Sequence, residues 1–312
     1  MDNVEILVVG AGAAGLQCAR SAYESGARSV LLADSSKRVG GILPQCLHTG
    51  FGISLFGQSL TGPEFLSRLL KGFAPGVEQS LQTMVTDLAA DRTARLVSPC
   101  GIRTVSFRRL VLACGCRERS IYSLPVSGTR PAGVFTAGLA QQLVNLDGVD
   151  IGDNIVILGS GDIGLVMAGR FAELGKKVVA VVEQKPSLGG LLRNQQRFIR
   201  ANNIPVITLS TVDELHGGER ICGVTVRHLD SGAREYLPCG TLVTALGLIP
   251  DRSLLDGISE DGSLPSWVSL AGNCSFVHDI VDRVVREADA LGKQIAGELA
   301  PSPGSRQDAY SC

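Results

Sequence analysis

Two glycine-rich segments of the sequence have the residue types and spacing needed to hold a dinucleotide. The first runs Gly10-Ala11-Gly12-Ala13-Ala14-Gly15 and follows an apolar stretch. Glycines at these positions let backbone N–H groups approach a pyrophosphate, and the start of the following helix adds a partial positive charge. Asp34 stands at the end of the next apolar stretch, where a carboxylate accepts hydrogen bonds from ribose hydroxyl groups. The segment therefore predicts a dinucleotide site.

The second glycine-rich segment runs Gly159-Ser160-Gly161-Asp162-Ile163-Gly164, and Glu183 closes the apolar stretch after it. This repeat predicts a second adenine dinucleotide. A carboxylate at Glu183 repels a 2′-phosphate, which favours NAD(H) over NADP(H). Lys176 and Lys185 are close in sequence and weaken that preference. A second segment kept only for packing its strand against its helix is the alternative.

Both glycine-rich segments join a predicted strand to a predicted helix. Short apolar runs bounded by glycine predict buried strands, and the longer run after each segment predicts a helix. The predicted elements are, in order, the strand Glu5–Val9, helix Leu16–Ser25 and strand Ser29–Ala33, then the strand Asn154–Leu158, helix Leu165–Leu174 and strand Lys177–Val182. Two strand–helix–strand repeats predict an α/β fold with two Rossmann-like domains.

Apolar strands that end at a glycine mark the borders of these domains. The two border strands are Leu110–Gly115 and Thr241–Gly247. After the second border, a strand at Val268–Gly272 and a helix from about Asp279 to Leu299 predict that the chain returns to the first domain. We therefore expect a first domain in two parts, 1–119 and 246–300, a second domain inserted at 120–245, and a loose C-terminal tail at 301–312.

Composition narrows the class of protein. Of 312 residues, 45% are hydrophobic, 4% are aromatic and 38 are glycine, a mixture typical of parallel sheets covered by helices. Lys and Arg total 29 against 30 Asp and Glu without long runs, which argues against nucleic acid as a partner. The apolar stretch Val4–Leu16 lacks a basic leader and is interrupted by glycines, so we expect no membrane insertion and a cytoplasmic location. The nine cysteines have no metal-ligand spacing.

Several short motifs, taken in order along the chain, resemble the pyridine nucleotide-disulfide oxidoreductase superfamily. Besides the two glycine-rich segments, they are Gly40-Gly41, Ala113-Cys114-Gly115, Gly247 and Ala271-Gly272-Asn273. The resemblance covers residues 4 to about 299 and implies a thioredoxin-reductase-like architecture without a dimerisation domain. In that superfamily the first Rossmann-like unit binds FAD, the inserted unit binds NAD(P)H, and the C-terminal segment returns to hold the flavin.

The resemblance also implies which residues contact each nucleotide. For FAD it implies Gly10, Gly12, Ala13, Ala14, Gly15, Asp34, Gly40, Gly41, Val85, Ala113, Gly115, Gly272, Asn273, Asp279 and Ile280. For NAD(H) it implies Gly159, Gly161, Asp162, Ile163, Gly164, Glu183 and Gly247. The superfamily has an aspartate at the position of Asn273, whose amide still accepts a hydrogen bond but carries no charge. The start of the last helix, near Asp279 and Ile280, is expected to face the flavin pyrimidine and to favour the reduced flavin.

Cysteine placement departs from the superfamily. Its disulfide-reducing branches carry a cysteine pair just after the position of Gly41 or a Cys-x-x-Cys within the second unit, and this sequence has neither. Cys46 and His48 stand there instead and could form an activated thiolate or a proton relay. A packing cysteine beside a hydrogen-bonded histidine is the alternative. His278 and Asp279 are a further candidate pair for proton transfer, with Asp279 as a helix cap the alternative.

A closer resemblance comes from Gly40–Gly52, Leu60–Glu64 and Cys114–Arg119, which are similar to FAD- and NAD-binding subunits of multicomponent dehydrogenases. In that group a second flavoprotein oxidises an amino acid, an opine, sarcosine or glycerol 3-phosphate. The resemblance implies an oxidoreductase that exchanges a hydride between NAD(H) and FAD and passes electrons to a partner flavoprotein subunit or a small carrier. Two alternatives stay open: a flavin subunit that NADH does not reduce, and a non-catalytic electron-relay or assembly module.

Overall fold

The computed structural model describes residues 2–256, 258 and 263–300, so the tail predicted at 301–312 lies outside the described residues. The chain divides into two compact units. One contains the residues up to Cys116 together with those from Pro250 onward, and the other is Arg117–Ile249. Each unit has its own sheets and its own hydrophobic core.

The first part of the chain builds a parallel sheet with an antiparallel extension. The strands of this sheet are β1 (Asp2–Val9), β2 (Val30–Ala33), β5 (Val77–Ser80), β6 (Met84–Leu88), β7 (Thr93–Ser98) and β8 (Gly101–Leu112), whereas β3 (Thr49–Phe51) and β4 (Leu60–Thr61) form a separate antiparallel pair. Its helices are α1 (Ala13–Glu24), α2 (Ile53–Phe56) and α3 (Gly62–Leu70). Parallel pairing joins β5, β2, β1 and β8, and antiparallel pairing adds β7 and β6 at one edge.

The inserted unit repeats the strand–helix–strand arrangement. Its strands, with the two chain crossings, are β9 (Cys116–Glu118), β10 (Ser127–Gly128), β11 (Val134–Thr136), β12 (Ile155–Leu158), β13 (Val178–Val182), β14 (Val206–Ile207), β15 (Ser210–Gly217), β16 (Ile221–His228), β17 (Arg234–Pro238), β18 (Thr241–Thr244) and β19 (Leu248–Pro250). Its helices are α4 (Ala137–Asn145), α5 (Asp162–Glu173) and α6 (Leu192–Asn194), the last continued by a π-helical segment, Gln195–Arg200. Five parallel strands stand in the order β11-β18-β12-β13-β14, and β15, β16 and β17 form a separate antiparallel sheet with β10 at its edge.

The chain then returns to the first unit through β20 (Val268–Leu270) and α7 (Val281–Leu299). β20 pairs in parallel with the carboxyl end of β8. α7 packs closely along α1, since a Cβ atom at Gly292 would lie 2.5 Å from the carbonyl oxygen of Cys18. Asp289 of α7 also accepts hydrogen bonds from Gln17 and Ser21 of α1. No helix in the described ranges is both long and apolar enough to cross a lipid bilayer.

Two helices begin three residues before the predicted position. α1 begins at Ala13 and not at Leu16, and α5 begins at Asp162 and not at Leu165. The last glycine of each segment lies inside the first helical turn because the helix backbone must contact the preceding turn there. A Cβ atom at Gly15 would lie 1.8 Å from the carbonyl oxygen of Gly10. The glycines thus belong as much to the helix as to the turn.

Candidate dinucleotide-binding sites

The first glycine-rich segment forms a turn in which each glycine has a different neighbour. Gly10 has a φ of +104°, and a Cβ atom there would lie 2.4 Å from the carbonyl oxygen of Ala113. Gly15 is equally enclosed, against Gly10 itself. Gly12 differs, since its Cβ would meet only the Cα of Gly41, at 3.9 Å. The first and third glycines are therefore required by the fold, whereas the second leaves open space that a pyrophosphate can enter.

Asp34 is fixed beside this turn by two backbone hydrogen bonds. Its Oδ2 accepts from the N–H of Ala11 at 2.6 Å, and its Oδ1 accepts from the N–H of Ser36 at 2.7 Å. Each carboxylate oxygen has a second lone pair, so both can still accept a hydrogen bond from a ribose hydroxyl. The Asp34 carboxylate is therefore held in place and can still accept hydrogen bonds from a ribose.

The start of α1 is complementary to an anion. Gly12 is its N-cap residue and provides no side-chain hydrogen bond, and the first turn contains no acidic residue. The first N–H groups of a helix lack intrahelical acceptors and carry a partial positive charge. The open space at Gly12, the fixed Asp34 and this helix end together fit the pyrophosphate and ribose of a dinucleotide.

Gly40-Gly41 is held against the first glycine-rich turn. The N–H of Gly40 donates to the carbonyl oxygen of Ala11 at 2.7 Å, which fixes the Gly40-Gly41 segment against the turn. Both glycines have positive φ, +111° and +55°. Val85, also predicted to contact FAD, is 5% exposed and pairs with Leu96 across β6 and β7, so its side chain belongs to the core and only its backbone atoms can contact a ligand.

The second glycine-rich segment reproduces the first in its geometry. Gly159 has a φ of +98°, and its Cβ would lie 2.3 Å from the carbonyl oxygen of Ala245. A Cβ at Gly164 would lie 2.4 Å from the carbonyl oxygen of Gly159, whereas a Cβ at Gly161 would meet nothing within 4 Å. Again the outer glycines are enclosed and the middle one is open.

Glu183 is more enclosed than Asp34. It is 6% exposed; its Oε2 accepts from the N–H of Ser160 at 2.9 Å and from the Ser160 hydroxyl at 2.5 Å. Its Oε1 accepts from the N–H of Lys185 at 2.9 Å. The Ser160 hydroxyl in turn accepts from the N–H of Gly189 at 2.7 Å, so the loop after β13 is fixed to the same carboxylate.

Asp162 distinguishes the second site from the first. It lies in the first turn of α5, and its Oδ1 accepts from the N–H of Leu191 and the side-chain amide of Asn194, both at 2.8 Å. Ile163, predicted to contact NAD(H) with it, is half-buried and packs against the core of the inserted unit. The first turn of α5 therefore carries a negative charge that the first turn of α1 lacks.

Lys176 forms its hydrogen bonds at the other end of β13, away from Glu183. Its Nζ donates to Asp150 at 2.6 Å and to the carbonyl oxygen of Gly152 at 3.1 Å. The bond to Asp150 raises the pKa of Lys176. Because Lys176 precedes β13 whereas Glu183 follows it, Lys176 does not offset the charge of Glu183. Of the two lysines near Glu183 in sequence, Lys185 is the one beside it.

The sequence matches the pyridine nucleotide-disulphide oxidoreductase family over residues 4–265, with both glycine-rich segments inside the match. The chain belongs to this family. The family consists of FAD-dependent oxidoreductases that also bind a pyridine nucleotide, which agrees with two sites of the same geometry on one chain.

Three relatives in the family are components of larger enzymes by name. One component of the opine oxidase of Agrobacterium tumefaciens (strain Ach5) is 31% identical, over 81% of this chain and 54% of that protein. Hydrogen cyanide synthase subunit HcnB of Pseudomonas protegens is 30% identical, over 96% of this chain and 68% of that protein. The alpha subunit of the sarcosine oxidase of Rhizobium meliloti (strain 1021) is 25% identical, over 85% of this chain and 26% of that protein. The chain thus spans from about a quarter to about two thirds of these relatives.

The fold is similar to that of a thioredoxin reductase. The crystal structure of the T. acidophilum enzyme matches with a TM-score of 0.78 at 20% identity, covering 96% of this chain and 99% of that one. The predicted α/β fold with two Rossmann-like domains in a thioredoxin-reductase-like architecture is therefore confirmed.

In this chain, the segment around Gly272 and Asn273, just before α7, lies against the first glycine-rich turn. Gly272 has a φ of +61°, and its Cβ would lie 2.8 Å from the Cβ of Ala14 in α1. The next residue, Asn273, accepts from the backbone N–H of His278 at 3.0 Å through Oδ1, and its Nδ2 donates to the sulfur of Cys116 at 3.6 Å. Asn273 is thus adjacent to the site that Gly12 and Asp34 form.

The other residues predicted to contact a nucleotide lie outside the helices and strands. α7 begins at Val281 with Ile280 as N-cap, so Asp279 and Ile280 precede the helix, and both are exposed. The N-cap residue is Ile280 and not Asp279, so the alternative in which Asp279 caps the helix is wrong. Gly115 and Gly247 have φ of +75° and +95° at the two chain crossings, and a Cβ at either would meet nothing within 4 Å.

Cys46 does not have the surroundings of a reactive thiolate. It is 4% exposed, its thiol donates to the carbonyl oxygen of Ile42 at 3.3 Å, and burial raises its pKa to about 12. His48 is half-buried and packs against the ring of Phe51 at a centroid distance of 5.0 Å. These surroundings favour the packing alternative for Cys46.

The sequence assigned the wrong partner to one polar group around the start of α7 and missed another. His278 contacts Glu287 at 2.7 Å, nine residues later, and not its neighbour Asp279. Asp282, 1% exposed, accepts hydrogen bonds from the backbone of Gly52 and of α2. The nine-residue spacing from His278 to Glu287 is no local motif, and Asp282 is about 230 residues from its partners, so no sequence signal marked either.

Proposed function

We propose that this chain binds FAD at Gly12 and Asp34, binds NAD(H) at Gly161 and Glu183, and exchanges a hydride between them. When bound, FAD supplies a two-electron carrier and the nicotinamide supplies or accepts the hydride. One observation carries the proposal: the same turn occurs twice, with enclosed outer glycines, an open middle glycine and a fixed carboxylate.

The assignment of FAD to the first site is supported by the charges around it. The first turn of α1 has no acidic residue, so its N–H groups face a pyrophosphate without competition. Gly40-Gly41, fixed by its bond to Ala11, borders the open space at Gly12. Asn273 stands where the family holds the ribityl chain, and its Oδ1 and Nδ2 can accept from and donate to a hydroxyl group.

A preference for NAD(H) over NADP(H) at the second site is supported by Glu183. Its carboxylate is buried and fixed by the Ser160 and Lys185 backbones, so it cannot turn away from an incoming 2′-phosphate. A fixed negative charge next to a second negative charge in a poorly hydrated site is unfavourable. Lys176, held by Asp150, does not compensate, which leaves Lys185 as the one of the two lysines that lies beside this carboxylate.

We further propose that electrons pass between this chain and a partner flavoprotein subunit or a small carrier. The support is that the relatives are named as subunits of opine oxidase, hydrogen cyanide synthase and sarcosine oxidase. A second candidate is a flavin-binding subunit that NADH does not reduce. Asp162 favours it, because a carboxylate in the first turn of α5 opposes a pyrophosphate there.

Matched alanine variants of the two open glycines test the proposal. Gly12→Ala fills the open space of the first site and is expected to yield folded protein without flavin absorbance. Gly161→Ala fills the second and is expected to keep its flavin but to lose reduction by NADH. Flavin loss in Gly161→Ala with retention in Gly12→Ala would reverse the assignment. Equal behaviour of Gly161→Ala and wild type toward NADH would favour the second candidate.

A further inference from the structure

The two glycine-rich segments belong to a longer internal repeat. Residues 10–41 correspond to residues 159–190 at a constant offset of 149 positions, without insertion or deletion. The same offset relates α1 to α5 from the first residue to the last. It also places Gly40-Gly41 of the first unit on Gly189-Gly190 of the inserted unit. The inserted unit therefore has its own counterpart of the Gly40-Gly41 segment.

The first glycine of each pair is fixed to its own glycine-rich turn in the same way. The N–H of Gly40 donates to the carbonyl oxygen of Ala11 at 2.7 Å. The N–H of Gly189 donates to the hydroxyl of Ser160 at 2.7 Å, and Ser160 is the residue that corresponds to Ala11 in the repeat. The correspondence seen in the sequence thus extends to the hydrogen bonds of the folded loops.

The second glycine of each pair lies against the start of a helix. Gly190 has a φ of +64°, and a Cβ atom there would lie 2.8 Å from Oδ1 of Asp162 and 3.2 Å from its backbone nitrogen. In the first unit, a Cβ atom at Gly41 would lie 3.1 Å from the Cα of Gly12. Since Asp162 directly follows Gly161, Gly190 contacts the neighbour of the open position in the second site.

The repeat differs at the first residue of the helix, which is Ala13 in α1 and Asp162 in α5. Oδ1 of Asp162 accepts from the N–H of Leu191 and from the side-chain amide of Asn194, both at 2.8 Å. Both donors follow Gly190 in the chain. Alanine has no side-chain acceptor, so Ala13 cannot form such bonds in the first unit. The carboxylate of Asp162 thus connects the loop after β13 to the first turn of α5.

We infer that Asp162 is a positioning residue of the second nucleotide site, because it holds residues 189–194 against the start of α5 before the nucleotide binds. The inference rests on the proposed function, since it requires NAD(H) at Gly161. By charge alone the carboxylate would oppose a pyrophosphate. The two N–H donors place partial positive charge beside it and reduce that effect, and a loop that is already ordered lowers the entropic cost of binding. The positioning effect therefore outweighs the repulsion.

The hold on the loop is tested without any nucleotide, by hydrogen–deuterium exchange of the peptide that covers residues 189–194. Asp162→Ala is expected to speed exchange about tenfold or more, because the loop loses two hydrogen bonds to a carboxylate. Asp162→Asn keeps an acceptor oxygen and is expected to restore most of the protection. Glu173→Gln removes a carboxylate from the last turn of the same helix and is the control, with exchange as in wild type. Equal exchange in Asp162→Ala and wild type would overturn the inference.

The effect on the nucleotide is tested by calorimetric titration of the flavin-loaded chain with NAD⁺, which cannot reduce the flavin. Asp162→Ala is expected to weaken binding about tenfold or more, and Asp162→Asn to bind nearly as wild type does. Asn194→Ala is expected to weaken binding less, and to add little in combination with Asp162→Ala, because both groups act through one contact. Tighter binding by both Asp162 variants would show that repulsion dominates and would overturn the inference. Wild type that does not bind NAD⁺ would count against the proposed function, while the exchange measurement still decides whether Asp162 holds the loop.

Discussion

Within each glycine-rich turn, single residues differ in whether the fold or the ligand requires them. Gly10 and Gly15 are enclosed by backbone atoms, and Gly12 is open. The sequence motif predicted all three glycines but could not separate their roles, because the distances depend on Ala113 and Gly41, which are far away in sequence. The structure distinguishes the roles of the three glycines, and single glycine-to-alanine substitutions can test each role.

Gly15→Ala is therefore expected to destabilise the protein by about 3 kcal/mol or more, because its Cβ would overlap the backbone carbonyl of Gly10. Gly12→Ala adds the same methyl group three residues earlier and is expected to change the free energy of unfolding by less than about 1 kcal/mol. Denaturant unfolding of both variants measures the difference. Similar losses in the two variants would contradict the assignment of roles.

Cys46 provides a second test at the residue scale. Because burial raises its pKa to about 12, the thiolate is roughly one part in ten thousand at pH 8. We expect iodoacetamide to modify the exposed Cys100 and Cys222 well before Cys46 in native protein, as measured by peptide mass spectrometry. Early modification of Cys46 would restore the activated thiolate as a hypothesis.

At the scale of elements, most of the strands and helices that the sequence predicted are those on either side of the two glycine-rich turns. Continuous apolar runs identified β1, β2, β12 and β13, because buried strands of a parallel sheet contain few polar residues. The first half of β8 and the sheet of β15, β16 and β17 were not predicted, because polar and charged residues interrupt the apolar residues of these strands. Contacts between distant elements, such as Asp282 with α2, have no local signal.

Asp282 connects the first turn of α7 to α2, and its loss is expected to be costly. Its carboxylate accepts from the N–H groups of Gly52, Ser54 and Leu55 at 2.7–3.0 Å. Asp282→Ala leaves these donors without their acceptor, and we expect about 2–4 kcal/mol lower stability by denaturant unfolding. Asp87→Asn, in an exposed ion pair, is the control and is expected to cost less than about 0.5 kcal/mol.

The same contact predicts a pH dependence. Burial alone would raise the pKa of Asp282, but hydrogen bonds from Gly52, Ser54 and Leu55 outweigh it and lower the pKa below the usual value. The stability that Asp282 contributes is therefore present above the usual aspartate pKa and is lost as pH falls through the lowered value. The difference between wild type and Asp282→Ala should narrow below about pH 4. A difference that stays constant there would contradict this account.

At the scale of the whole molecule, the chain carries one turn geometry twice, once in a unit that is interrupted and resumed along the sequence and once in the continuous unit inserted into it. That order could be predicted because each unit brings its own glycine-rich segment and its own carboxylate. What the sequence could not predict is the network around each carboxylate, since Ser160, Gly189 and Lys185 meet Glu183 only in the folded loop. These contacts fix the carboxylate on which the proposed preference for NAD(H) rests.

The central claim is that two nucleotides on one chain exchange a hydride, and the most direct measurement is the visible spectrum of the purified protein during anaerobic addition of NADH and, separately, of NADPH. We expect bound flavin whose absorbance near 450 nm is bleached by NADH and far more weakly by NADPH. Bound flavin that responds to neither nucleotide would contradict the claim and leave a flavin subunit that its partner alone reduces.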